Sequence, residues 1–392
     1  MEKDNKKQIY KKRKKPRIAI LSNKTGKLIA KEICKDFGLD PEILNIERFN
    51  DREILADIKK SIRGSDVFYI NPFYPYPEIR LVETELVADA INYSMPKRMI
   101  SIPTYLGFTR ADWKPRSRTS INIRNVAKIF ENCGWDYVIT FHIHSPQIQG
   151  VFRIPFDSFL PIGLFKEDIK EKGYEDFVVV APDLGGAKYA NLFSREVGAK
   201  DFAIIYKTRS KPGEAHALNI LGDVKDSLVI IVDDIIDTGG SIISAAELCI
   251  DKGAKDVLVY STHGLFSKKI ERYYGEKHPD EIRYIETINQ NEDDLKEDLE
   301  NVMLSEYFFN EKIYKIVAKD TGEERFYKVT PAEYKIRKSP IREVVTTNTI
   351  PRSDYYLGEN SDWYRQVSIV NMLEEIIDRV HNERSVSSLY KQ

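Results

Sequence analysis

The stretch from Leu228 to Ser244, LVIIVDDIIDTGGSIIS, decides the fold. Leu228 to Val232 are continuously apolar, as in a strand covered on both faces, and Ser241 to Leu248 space their apolar residues as a helix does. The polar residues therefore sit where strand turns into helix. In open α/β sheets ligands bind at the carboxyl ends of strands. There, Asp-Thr-Gly-Gly-Ser can aim successive backbone N–H groups at a phosphate, backed by the helix N-terminus. Gly239 and Gly240 permit the tight path, and Thr238 and Ser241 add hydroxyl donors. The missing Gly-Lys-Ser/Thr excludes a Walker loop. Asp233 and Asp234 would repel a phosphate at contact distance, so their partners are hydroxyl groups or a divalent cation. A sugar phosphate meets both demands; a polar turn with a capping Asp is the plain alternative.

Outward from this stretch the same rhythm repeats. On the N-terminal side RIAIL from residue 17, DVFYI, MISIP and YVITFHI read as strands and LVETELVADAINYS as a helix. A second series, starting near residue 175, runs through EDFVVVAPDLGGAKYANLFSREVG, DFAIIYK, SLVIIVDD and DVLVYSTHG. The fold class expected is α/β, with two tandem, mainly parallel sheets flanked by helices. Residues 268–340, rich in Lys, Glu, Asp and Tyr, break the pattern and read as an insertion, with a hairpin around Asp-Thr-Gly in KIYKIVAKDTGEERFYKV. After it EVVTTNTIP resumes a buried strand and SIVNMLEEIIDRVHN is an amphipathic helix. The expected organisation is a disordered basic arm at 1–16, a first domain at 17–160 joined by the final helix at 367–392, and a second domain at 161–366.

Bulk charge excludes little but is informative. Sixty basic and 61 acidic side chains among 392 residues leave a formal charge of −1, so nucleic acid and acidic membrane surfaces are not expected partners and any anion must be bound locally. The basic arm reads as a solvated tail, contact with nucleic acid or phosphates being its alternative. Cys34, Cys133 and Cys249 have neither disulfide nor CxxC spacing, and no long apolar stretch is present, which fits a cytoplasmic protein.

At this point the residues carry a resemblance. VIIVDDIIDTGGS is similar to the phosphoribosyl-diphosphate loop shared by type I phosphoribosyltransferases and ribose-phosphate diphosphokinases. HIHSPQIQGVFRIPFDSF (142 to 159), RFNDREI (48 to 54), PDLGGAK (182 to 188), THGLFS (262 to 267), TNTIPRSD and HNERSVSSLY resemble the diphosphokinases specifically, in the family's order. The resemblance implies two type I phosphoribosyltransferase-like domains. It also implies transfer of the diphosphoryl group of MgATP to O1 of ribose 5-phosphate, Mg²⁺ as cofactor, and a homo-oligomer, a dimer-based hexamer. A phosphoribosyltransferase and a non-catalytic regulatory homologue are the rival readings.

Site residues follow by matching motif to motif. Lys207 and Arg209, alternating outward from a strand end, match the catalytic pair; such cations suit phosphoryl oxygens and developing charge. Phe49, Asp51, Arg52 and Glu53, with Arg110, Ala111 and His144, match the ATP side, and His144 with Asp183 the metal-linked positions. Asp233, Asp234, Asp237, Thr238, Gly239, Gly240 and Ser241 match the ribose 5-phosphate loop. His263 matches a family position too, or is a polar cap at a strand end. The chain departs from the family on the nucleotide side. His142 stands where an aspartate is usual, Arg52 where a glycine is, and Ala111 where a glutamine is; the segment at 109–120 is also unusual. These departures imply less negative and more positive charge around the ATP phosphates.

Overall fold

The computed structural model describes residues 17–41, 43–208, 217–272, 282–287, 312–318 and 324–391. The basic arm, Arg209 and the Asp-Thr-Gly turn of the inserted hairpin lie outside them. The chain divides into two units. One comprises residues 1–161, 348–352 and 368–392, and the other 162–347 and 353–367.

The first unit is built on β1 (Ile18–Ser22), β4 (Asp66–Ile70), β5 (Arg98–Ile102), β6 (Tyr137–Phe141) and β7 (Phe156–Phe159), paired in that order and all parallel. All five residues of β4 are buried, as the unbroken apolar run of a doubly covered parallel strand requires. Helices α1 (Lys27–Phe37), α2 (Pro77–Tyr93) and α3 (Asn122–Asn132) connect these strands. A separate antiparallel pair, β2 (Leu44–Arg48) and β3 (Ile54–Ile58), stands between α1 and β4. The last α-helix of the chain, Val370–His381, buries Leu373, Ile376 and Ile377 and packs on α1. It is pinned electrostatically as well. Asp66, fully buried, accepts two hydrogen bonds from the Arg98 guanidinium (2.8 and 2.7 Å) and lies 2.8 Å from His381 Nδ1. Burial pushes the Asp66 carboxyl up, but these hydrogen bonds more than offset it and hold the group below the usual carboxylate range. Residues 348–352 join this unit because Thr104 donates to the Thr349 carbonyl at 2.6 Å and Arg352 reaches the Tyr74 hydroxyl at 3.1 Å.

The main sheet of the second unit has seven strands. In chain order they are β8 (Phe177–Ala181), β9 (Asp201–Thr208), β10 (Ala217–Leu221), β11 (Leu228–Ile236), β12 (Asp256–Gly264), β17 (Ile341–Thr347) and β18 (Tyr364–Val367). They lie in the order β10-β9-β8-β11-β12-β17-β18, with β10 the antiparallel edge. The chain thus steps from β8 outward to β9 and β10, then returns to place β11 on the other side of β8. Alternate residues show that both faces are covered. Val178, Val180, Val229, Ile231, Val257 and Val259 share a core with Ile242, Ala245, Ala246 and Cys249 of α6 (Gly240–Asp251). On the other face Tyr260 meets Phe165 of α4 (Ile162–Glu171) and Phe193 of α5 (Ala187–Val197).

The inserted segment forms a sheet of its own, ordered β13 (Lys269–Arg272), β16 (Glu324–Thr330), β15 (Lys312–Ala318), β14 (Ile282–Thr287). β15 and β16 pair antiparallel, as the hairpin reading expects. The end of the segment differs from that reading. The short helix α7 (Ala332–Arg337) places Ala332 and Ile336, both fully buried, in the core of the second unit, so the 268–340 stretch supplies core as well as insertion.

Candidate active site

The reversal of strand order between β8 and β11 opens a crevice at their carboxyl ends, since neighbouring chain connections leave there in opposite directions. Both loops singled out in the sequence emerge at that point. After β8 come Pro182, Asp183, Leu184, Gly185 and Gly186. Asp183 Oδ1 accepts the Gly186 N–H at 3.0 Å, turning the chain into α5, and a Cβ at Gly185 would lie 3.1 Å from the same oxygen. After β11 come Asp237, Thr238 and Gly239, then α6. Gly239 has φ +75°, a conformation that favours glycine, and a Cβ there would stand 3.3 Å from Ile336 Cγ1, a tight contact that the isoleucine would have to yield to. The first N–H groups of α6, which have no acceptor within the helix, follow directly. The THGLFS segment steadies the loop from outside, Ser267 N–H donating to the Asp237 carbonyl at 3.0 Å.

The acids of this crevice repel one another. Asp233 Oδ1 accepts the Asp234 N–H at 2.9 Å. Burial first, then the neighbouring Asp234 and next Asp183, push the Asp233 carboxyl well above the usual range. A site that crowds carboxylates suits hydroxyl donors or a divalent cation. Among the described residues no group of three or more His, Cys, Asp and Glu is arranged to hold a metal ion. A cation here would have to complete its shell from ligand oxygens and water, which is how Mg²⁺ is usually held beside phosphates.

Lys207 lies in β9, paired with Leu218 of β10. Ala181, the last residue of β8, aligns with Ile204 of β9, so the Lys207 backbone projects beyond the end of β8 at the ligand end of the sheet. His263 is buried at the carboxyl end of β12, the last residue but one of the strand, in register with Ile235.

The nucleotide-side residues belong to the first unit. Phe49 to Glu53 form the β2–β3 turn, closed by Phe49 N–H to Glu53 O (3.0 Å) and Arg52 N–H to Phe49 O (2.9 Å), with Asp51 Oδ1 accepting from Glu53 N–H (3.1 Å). Phe49 is 54% exposed, an aromatic face open to a ligand. Arg110 and Ala111 follow the carboxyl end of β5, and His144, exposed, follows that of β6. Two of the departures now share a backbone cause. Arg52 has φ +74° and His142 φ +32°, conformations that glycine adopts freely and aspartate more readily than most residues. His142 is 6% exposed and its N–H donates to Phe159 O at 2.9 Å. The side chain is packed inside.

Comparison with known proteins identifies the lineage. Residues 18–134 match the family model described as the N-terminal domain of ribose phosphate pyrophosphokinase. Residues 201–324 and 292–391 match the phosphoribosyl synthetase-associated domain. A ribose-phosphate pyrophosphokinase of Campylobacter jejuni is 36% identical over 283 residues, 72% of this chain and 90% of the relative. This chain belongs to the ribose-phosphate pyrophosphokinase family. A family member from Prochlorococcus marinus is 30% identical over 377 residues, 96% of this chain and 95% of its own. A crystal structure of phosphoribosylpyrophosphate synthetase from Mycobacterium smegmatis superposes with a TM-score of 0.71 at 25% identity, covering 94% of this chain and 99% of that one.

Proposed function

We propose that the chain is a ribose-phosphate diphosphokinase, moving the diphosphoryl group of MgATP to O1 of ribose 5-phosphate. The observation that carries this reading is the crevice at the strand reversal, where a glycine-started helix and a carboxylate pair emerge side by side. The loop from Asp237 to Ser241 would take the 5-phosphate on backbone N–H groups, and Asp233 and Asp234 the ribose hydroxyls. The ribose O1 attacks the β-phosphorus, the bond from that phosphorus to the α-phosphate oxygen breaks, and AMP leaves with the oxygen while the O1 proton is released. Phosphoryl transfer of this kind is mainly positioning and charge neutralisation. Lys207 and Arg209 would neutralise the moving group. Phe49, Asp51, Arg52, Glu53, Arg110, Ala111 and His144 would hold the nucleotide. Exposed Asp183, beside the Asp233 pair, offers the hard oxygen that Mg²⁺ prefers, with His144 the second metal-linked position. Bound Mg²⁺ would offset phosphate charge. We read the enzyme as a cytoplasmic homo-oligomer, a dimer-based hexamer; among the described residues no helix is long and apolar enough to cross a membrane.

The deciding experiment follows AMP and phosphoribosyl diphosphate formed from ATP, ribose 5-phosphate and Mg²⁺. Stoichiometric formation of both is expected. Ribose 5-phosphate binding without AMP formation from any nucleoside triphosphate would make the chain a regulatory homologue, and diphosphate release that requires a nucleobase would make it a phosphoribosyltransferase.

A further inference from the structure

Helix α2 buries Glu83, Thr84, Val87, Ala88 and Ile91. Glu83, Val87 and Ile91 stand at i, i+4 and i+8, so an acid occupies a position on the inner face where packing alone would select an apolar side chain. Glu83 is 2% exposed. A carboxylate taken that far from water is costly unless partners answer it.

Two guanidinium groups do so. Arg80, one turn earlier on α2, sets Nη1 at 2.5 Å from Glu83 Oε2, and Arg48, the last residue of β2, brings Nη2 to 4.0 Å from the same oxygen. Burial pushes the Glu83 carboxyl above the ordinary glutamate range, while Arg80 first, then Arg48 and the Tyr69 hydroxyl, pull the other way. Each arginine gives a further N–H to a loop carbonyl. Arg80 Nε donates to Pro75 O at 3.3 Å, in the loop ahead of α2, and Arg48 Nη1 donates to Arg52 O at 3.4 Å. The peptide so held is the one that follows Arg52, whose φ of +74° a residue with a side chain keeps only where its surroundings impose it. On the other side of Arg52, its own N–H closes the turn on Phe49 O.

We propose that Glu83 is a positioning residue for the Phe49–Glu53 turn: it aligns Arg48, Arg48 holds the Arg52 carbonyl, and the turn thereby keeps the exposed Phe49 ring in place for the nucleotide. The proposal rests on the nucleotide reading of that turn. Buried as it is, Glu83 acts through Arg48 rather than by touching a ligand.

The test is steady-state kinetics on the full chain, with MgATP and ribose 5-phosphate varied independently. Glu83→Gln keeps the shape and removes the charge; it should raise the KM for ATP about fivefold and leave kcat and the KM for ribose 5-phosphate within about twofold. Arg48→Met should do the same, and the double variant should be no worse than the larger single effect, since both break one chain of contacts. Arg48→Lys keeps the charge but not the two-pronged reach, so it should behave like Arg48→Met. Full rescue by lysine would mean that Arg48 meets the nucleotide as a plain charge, and would overturn the proposal; so would additive effects in the double variant. Should Glu83→Gln lose its cooperative melt, the two variants of the half-exposed Arg48 carry the test. Phe49→Ala separates the proposal from the reading beneath it. An unmoved KM for ATP in Phe49→Ala sinks the nucleotide reading of the turn and the proposal with it, whereas a raised KM there beside an unmoved one in Glu83→Gln sinks the positioning role alone. If no AMP forms, calorimetric MgATP affinity replaces KM, and the same pattern among the variants is required.

Discussion

The two sheets are made of similar material and do different things. In the first unit the parallel strands follow one another across the sheet without reversal, β1-β4-β5-β6-β7, and the residues matched to the nucleotide hang from one hairpin turn and two strand ends. In the second unit the order turns back between β8 and β11, and that single reversal brings the PDLGG and DDIIDTGG loops together. Strand composition does not distinguish the sheets. Order does, because a crevice needs two neighbouring connections that leave in opposite directions.

The largest effect expected from breaking this contrast comes from Lys207→Ala. Turnover should fall by about 100-fold or more, while ribose 5-phosphate binds as before, because the lysine acts on charge that develops in transfer. Steady-state kinetics with direct sugar-phosphate titration would decide it; equal loss of sugar binding would move β9 into the sugar pocket.

Asp233→Asn should act in the opposite direction on stability. The folded carboxyl is held above its unfolded value, so it costs nothing below about pH 4, and the cost grows as pH rises and is complete above the raised value. The ligand-free variant should therefore gain on the order of 1 kcal/mol at neutral pH, lose that pH dependence, and bind ribose 5-phosphate more weakly. Denaturant melts at pH 4 and pH 7 test it. No gain at pH 7 would mean that the crevice acids are relaxed by solvent.

The smallest change is in the first unit. Arg52→Gly should relieve the left-handed turn residue, worth about 1 kcal/mol, and raise the KM for ATP a few-fold with that for ribose 5-phosphate unmoved. A parallel rise in both would show that the β2–β3 turn is not specific to the nucleotide.

Much of the fold was legible because buried parallel strands write themselves as unbroken apolar runs. β4 matches DVFYI residue for residue, and the strand-to-helix turn at 236–240 lies where its glycines place it. The β2–β3 pair was not read. Leu44–Arg48 is short and ends in charge, and what makes it a strand is its partner ten residues on. Strand order was hidden for the same reason, since it is decided by which distant strands pair. Ile336 was taken with the insertion because its neighbours are charged, although it packs against Gly239. The positive φ at Arg52 had one signal, the glycine usual there in the family, and its meaning needed the backbone.

Asp66 and His381 are 315 positions apart, and their contact gives the first unit a history as well as a shape. A ribosome has finished every strand of the β1–β7 sheet by residue 159. The helix that covers α1 and answers Asp66 is not made until more than 200 residues later. At about 5–20 residues per second the nascent sheet spends roughly 10–40 s with a buried acid only half-answered and an apolar face uncovered. During synthesis, the earliest domain to emerge is thus among the last to close.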